Sequence, residues 1–227
     1  MDKLNDTLFW YTHNALVHYA SPHGLEQYNG AAWGTRDVCQ GPVELFAAAN
    51  RYDLIREILL KVYQRQFIEN GDFPQWFMFG EFYQIQAHEA HGDIIIWPLR
   101  TLGYYLLATA DYSILEEKVP YMSFKENEFT NAYTLIDHVK KQIKTIKESF
   151  ISGTHLPRYG GGDWDDTLQP ANHELTHKMV SGWTVALMYE AIHRLGLELE
   201  PKYTQLSDEL LELASSIKSD YKKYMIV

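Results

Sequence analysis

The sequence predicts an all-α protein built from two alternating kinds of helix, and three observations carry that prediction. Apolar residues recur at helical spacing along most of the 227 residues, and no stretch shows convincing strand alternation. Segments apolar on nearly every side (42–50, 93–109 and 177–194) alternate with segments that keep a polar face (53–69, 128–150 and 201–222). A helix apolar all round belongs inside, and one with a polar face belongs outside. Inner–outer pairs in this number make about half of an (α/α)6 toroid, a ring of inner helices surrounded by a ring of outer ones.

Each element has its own signal. The row Leu4, Leu8, Tyr11, Ala15 and Tyr19 predicts the first helix. The next begins at Gly41-Pro42, since proline suits a first helical turn, and runs to about Asn50. Asp53 is placed to cap a longer helix reaching about Glu69, with Leu54, Ile58, Val62 and Gln66 on one stripe. The segment 93–109 carries Ile94, Ile95, Ile96, Trp97, Leu99, Leu102, Leu106 and Leu107, and Asp93 stands where an N-cap would. A short helical turn over 113–118 stops before Pro120. Leu135, Val139, Ile143 and Ile146 form the apolar row of 128–150. The final pair, 177–194 and 201–222, is apolar and then amphipathic, with Pro201 near the start of the second.

Composition narrows the functional classes. A net charge of −10 argues against nucleic acid, whose binding proteins carry basic stripes. No run approaches the roughly 18 apolar residues of a membrane span. The first twenty residues, with Asp2 and Asp6 among them, do not read as a signal peptide. A single cysteine, Cys39, leaves no internal disulfide and fits the reducing cytoplasm. Tyr 16 and Trp 6 exceed what a core needs, and such side chains also serve as stacking surfaces with a polar handle.

Long loops rich in glycine and aromatic residues (20–41, 70–92 and 151–176) precede the inner helices. Loops of that length are usually functional, and equivalent positions would gather them at one mouth of the toroid. The first contains Trp33-Gly34-Thr35-Arg36-Asp37-Val38-Cys39-Gln40-Gly41-Pro42, an Arg-Asp pair between glycines. The second reads Gly71-Asp72-Phe73-Pro74-Gln75-Trp76-Phe77 and ends His91-Gly92-Asp93. The third reads Tyr159-Gly160-Gly161-Gly162-Asp163-Trp164-Asp165-Asp166, and its glycines predict a segment that is loose until a sugar or its own tryptophan pins it. Carboxylates beside tryptophans suit sugars, which offer ring faces to stack on and hydroxyls to accept from. Arg36, Gln40, Trp76, Asp163, Trp164 and Asp166 are thus the candidate substrate-binding residues. The stretch His173-Glu174-Leu175-Thr176-His177 spells the HExxH zinc signature. It begins three residues after Pro170, in a loop and first turn, where its histidines lack the helix face that the motif requires. No metal site is expected.

Taken in order, the GTRD…Q, GD…QW, HGD…W, TADYSILEEKVPY and GDWDD segments resemble the signatures of glycoside hydrolase family 94, the inverting phosphorylases. The form WGTRDVCQGP, with HGLEQY upstream and GDWDDTLQPA downstream, is most similar to the members that act on β-1,2-linked glucans. The resemblance covers about residues 9–195 and implies a β-glucan oligosaccharide as substrate. Inorganic phosphate would be the co-substrate, with no other cofactor. It places the general acid at Asp37, which would protonate the glycosidic oxygen while phosphate attacks the anomeric carbon. A proton donor needs a raised pKa, which contact with Arg36 would oppose, so Arg36 is expected to point to a substrate hydroxyl or a loop carbonyl. Relatives follow the third-loop motif with Gly-Glu-Ser, where this chain has Met179-Val180-Ser181-Gly182 and no acid. Family members also carry an N-terminal β-sandwich and the rest of the toroid, so residues 1–227 read as one partial catalytic domain. Two other readings stay open: an inverting hydrolase using Asp163, Asp165 or Asp166 as base, and a non-catalytic module that binds glucan.

Overall fold

The computed structural model describes residues 2–20 and 32–226, and the HGLEQY segment (23–28) lies outside them. Helix α1 (Asp2–Ala20) leads to a two-residue strand β1 (Trp33–Gly34), a single turn α2 (Thr35–Val38), and the pair α3 (Gly41–Ala48) and α4 (Tyr52–Tyr63). Strand β2 (Trp76–Phe77) pairs antiparallel with β1, Trp33 opposite Phe77 and Gly34 opposite Trp76. After a 3-10 turn at Ile94–Ile96 come α5 (Trp97–Thr109), the hairpin β3 (Lys118–Ser123) and β4 (Glu128–Thr134), and α6 (Leu135–Glu148). The third long loop then leads to α7 (Gly182–Leu199) and α8 (Thr204–Met225). None of the described helices is long and apolar enough to cross a membrane.

The inner and outer characters fall as the apolar pattern predicts in five of the six segments; the first expected inner helix, α3, buries only Pro42, Val43 and Phe46 and keeps Glu44 and Ala48 exposed. In α5, Trp97, Leu99, Leu102, Tyr105 and Leu106 are buried, and α7 buries Val185, Met188, Ala191, Ile192, Leu195 and Leu199. These two helices pack on each other, α7 also packs on α8, and α5 also packs on α4. The outer helices bury one stripe each: Ile55, Ile58, Leu59 and Val62 in α4; Leu135, Val139, Ile143 and Ile146 in α6; Leu210, Leu213, Ala214 and Ile217 in α8. Tyr63 of α4 donates to Gln142 of α6 at 2.9 Å, and the Gln142 amide donates to the Ile95 carbonyl. That chain of hydrogen bonds ties both outer helices to the start of an inner one.

Three expectations are corrected. The segment 128–150 is not all helix, because Glu128–Thr134 is the second strand of a hairpin. Phe129, Thr130, Tyr133 and Thr134 are strand formers, and Val119 and Pro120 supply a partner strand opposite Tyr133 and Ala132. Asp53 does not cap α4: the helix runs from Tyr52 only to Tyr63, short of Gln66 and Glu69, and the Asp53 carboxylate instead accepts from Arg51 at 2.7 and 2.9 Å. Of the row predicted for α1, Leu4, Leu8 and Tyr11 are exposed, and only Tyr19 joins the core side, packing on Trp33 and Phe46. Periodicity shows which residues share a face, not whether a neighbour covers it.

Candidate functional site

The first and second loops are joined before any side chain of the site is placed. The Thr35 amide donates to the Gln75 carbonyl at 3.0 Å and its hydroxyl to the Pro74 carbonyl at 2.6 Å. Together with the β1–β2 pair, these bonds fix Arg36 at the start of α2, facing the end of the second loop. Its guanidinium is 6% exposed and grips Asp93 bidentately, Nε to Oδ2 at 2.9 Å and Nη2 to Oδ1 at 2.8 Å. Trp97 Nε1 donates to the same Oδ2 at 2.9 Å. Asp93 is fully buried, and its carboxylate makes no cap bond to the turn it precedes. The N-cap expectation is therefore wrong. Asp93 is the counter-ion of Arg36.

The same guanidinium reaches the third loop, with Nη1 donating to Asp166 Oδ1 at 2.8 Å and Nη2 to the Asp163 carbonyl at 3.0 Å. One buried cation thus joins all three loops. Burial opposes its charge, but the hydrogen bonds to Asp93 and Asp166 outweigh that and push its pKa further up. Arg36 turns to a loop carbonyl, one of the two targets expected for it, and most of its N–H groups are spent on protein partners. The single cysteine, which ends the α2 turn, is fully buried, with its thiol pushed up to about 12 by desolvation. A thiol held neutral in that way is no nucleophile.

The third loop is tied to its neighbours by backbone hydrogen bonds. Its backbone is stitched to the second loop by the Gly92 amide donating to the Gly162 carbonyl at 2.8 Å, and to the approach of α7 by Gly160 to Thr176 and Tyr159 to Met179. The glycines exist for this close approach: a Cβ on Gly92 would lie 2.8 Å from the Tyr159 carbonyl oxygen. Gly92→Ala is therefore expected to destabilise the protein by about 1–3 kcal/mol, the usual range for overpacking. Thermal melting checks this, and an unchanged Tm would mean the two loops separate freely.

An open groove of about 440 Å³ lies over this cluster, lined by Arg36, Asp37, Gln40, Gly41, Pro42, Trp164 and Asp166. Five of the residues expected at the site meet there. Trp76 and Asp163 do not. Trp76 is held in the β1–β2 pair, with its carbonyl accepting from Ala87. Asp163 is buried, its Oδ1 accepting from the Asp165 amide at 2.9 Å and its Oδ2 from the Ser181 hydroxyl at 2.6 Å. Ser181 in turn caps α7, so this carboxylate braces the loop against a helix start. Asp165 faces Thr167 and closes a local turn.

Within the groove, Trp164 is 53% exposed and rests beside Trp183, ring centroids 6.1 Å apart. The Asp166 side chain is 60% exposed. The Asp37 carboxylate has no hydrogen-bond partner among the described residues, whereas Asp166 is held by Arg36 and lies 2.9 Å from His91 Nδ1. Sequence reasoning missed His91, Asp93, Ser181 and Trp183 as members of this constellation. The HGD triplet was visible, but nothing in its spacing told that its ends turn towards Arg36. The stretch His173–His177 forms only a 3-10 turn and not the α-helix of a zinc signature.

Comparison with known proteins fits this chemistry. The chain is 48% identical over 225 residues to a 1,2-beta-oligoglucan phosphorylase of Listeria innocua, covering 99% of this chain and 20% of that protein. It is 31% identical over 132 residues to a solabiose phosphorylase of Paenibacillus borealis, covering 56% of the chain and 16% of that protein. A cyclic beta-(1,2)-glucan synthase of Rhizobium meliloti matches at 27% over 148 residues, covering 60% of the chain and 5% of that protein. No family profile matches. The chain thus spans a fifth or less of the length of each of these relatives, and the resemblance to glycoside phosphorylases read from its motifs is borne out.

Proposed function

We propose that this chain, related over nearly its whole length to a glycoside phosphorylase, is the sugar-binding part of a longer enzyme of that kind. The enzyme would cleave β-1,2-linked glucooligosaccharides with inorganic phosphate, inverting the anomeric centre to release α-glucose 1-phosphate and a shortened glucan. The helices described above would form part of an (α/α)6 toroid, and the enzyme would work in the cytoplasm. The observation that carries the reading is the groove, in which two carboxylates and an exposed tryptophan meet over a buried Arg36–Asp93 pair.

The chemistry needs one acid and no carboxylate nucleophile, because phosphate takes the place of the attacking water in an inverting mechanism. Asp37 takes the acid role that the motif implies, its carboxylate lining the groove without a hydrogen-bond partner among the described residues. Asp166, held by a cation, accepts hydroxyl protons as a carboxylate, and Gln40 adds an amide at the same rim. A second reading exchanges the two roles and is favoured by one observation: the Asp166 side chain, which lines the same groove as Asp37, is 60% exposed to it. Comparing Asp37→Asn with Asp166→Asn separates the two.

Trp164 offers the stacking face. Trp164→Ala should weaken glucan binding by about 1–2 kcal/mol, roughly tenfold, an aromatic contact plus its buried area. Because the ring is half exposed, the melting temperature should hold. A variant that binds normally would remove the tryptophan from the site. The linkage is tested with the full-length protein and phosphate on β-1,2- and β-1,4-linked glucooligosaccharides. Turnover of the β-1,2 series alone is expected, and preference for β-1,4 would overturn that part of the reading.

A further inference from the structure

Trp183 sits between two other tryptophans. Its ring centroid lies 6.0 Å from that of Trp97, at a tilt of 40°, and 6.1 Å from that of Trp164, at a tilt of 36°. Trp97 is buried, whereas Trp183 is 42% exposed. Trp164 lines the sugar groove and Trp183 does not, so Trp183 adjoins the groove from outside. Single exposed apolar side chains are common on proteins. Two large rings exposed side by side form a contiguous patch, the feature that marks a binding surface.

The placement of the two exposed rings is built in. Ser181, two residues before Trp183, donates to Asp163 Oδ2 at 2.6 Å, and Asp163 immediately precedes Trp164. The same Ser181 oxygen accepts from the Thr184 amide at the start of α7. One hydrogen bond therefore anchors the backbone beside both tryptophans. Behind Trp183, the Trp97 ring is itself fixed by its donation to the buried Asp93. Rings held in place before a ligand arrives need less ordering when it binds.

We propose that Trp183 is a second sugar-stacking site beside Trp164, receives the third glucosyl unit of a β-1,2-glucooligosaccharide, and so makes the protein prefer chains of three or more units. This rests on the glucan reading above. A disaccharide held across the two carboxylates lays one unit on Trp164 and ends there. The next unit along meets the neighbouring exposed ring. The tilt between the rings gives successive units different planes, which a bent 1,2-linked chain presents and the flat ribbon of a β-1,4-linked chain does not.

Isothermal titration of the full-length protein without phosphate, using the β-1,2-linked di- and trisaccharide, tests the proposal. Wild type should bind the trisaccharide about three- to tenfold more tightly than the disaccharide, the worth of one aromatic contact. Trp183→Ala should bring that ratio close to unity, and Trp183→Tyr, which keeps a stacking face, should retain most of it. Reading a ratio cancels any general loss of folded protein. An Ala variant that weakens both sugars equally would make Trp183 a mere support for Trp97 and overturn the proposal. So would a Tyr variant that loses the preference as fully as the Ala variant. Wild-type protein that binds both sugars equally well would defeat this inference alone, whereas wild-type protein that binds neither would defeat the proposed function with it.

Discussion

Asp37→Asn in the full-length protein is expected to lower phosphorolysis by about 10² to 10⁴ while leaving glucan affinity close to wild type, the usual contribution of a positioned general acid. The amide keeps the shape and some hydrogen bonding of the carboxylate but has no proton to give the leaving oxygen. Rates and affinities must be measured together, since a fall in both would describe a binding residue. The same substitution at Asp166 serves as the comparison. If Asp166→Asn shows the large loss in kcat and Asp37→Asn mainly weakens binding, the two carboxylates exchange roles and Asp166 is the general acid. If neither variant loses turnover, the groove is not the reaction site.

Arg36→Met should cost about 3–5 kcal/mol of stability, the penalty for leaving one member of a buried ion pair uncompensated. Asp93 is fully buried, and without the guanidinium only Trp97 Nε1 would remain to hold it. For a chain of this length, that loss lowers Tm by roughly 6–20 °C. The cause is separable from lost packing. Adding Asp93→Leu to Arg36→Met removes the orphaned charge and should recover part of the loss, as replacement of a whole buried pair by apolar groups often does. Recovery is limited because Trp97 Nε1 then loses its acceptor. A single variant that melts like wild type would mean that the pair is solvated, contrary to its burial.

Much of the fold was legible because burial follows the apolar period. The inner helices at 97–109 and 182–199 and the stripes of α4, α6 and α8 lie where the helical spacing puts them. The hairpin was not legible, since Tyr133 and Leu135 continue an apparently helical row and the strand partner at Val119–Pro120 sits across a turn. At the site, the motif residues Arg36, Asp37, Gln40, Trp164 and Asp166 line one groove. Charge partnership was less visible. Asp93 is 57 residues from Arg36 along the chain, and Asp166 is 130 away. A local signal therefore makes the one resemble an N-cap and the other a free acid. The role of the glycines was hidden for a similar reason. Read alone they suggest looseness, whereas in the fold they let the backbones of two loops touch.

The most direct test of the central claim is to follow a β-1,2-linked glucooligosaccharide with the full-length protein by 31P and 1H NMR, with and without inorganic phosphate. The account predicts that the substrate is consumed only when phosphate is present, and that α-glucose 1-phosphate is the first product to accumulate. Release of free glucose at the same rate without phosphate would make the groove that of a hydrolase and contradict the account.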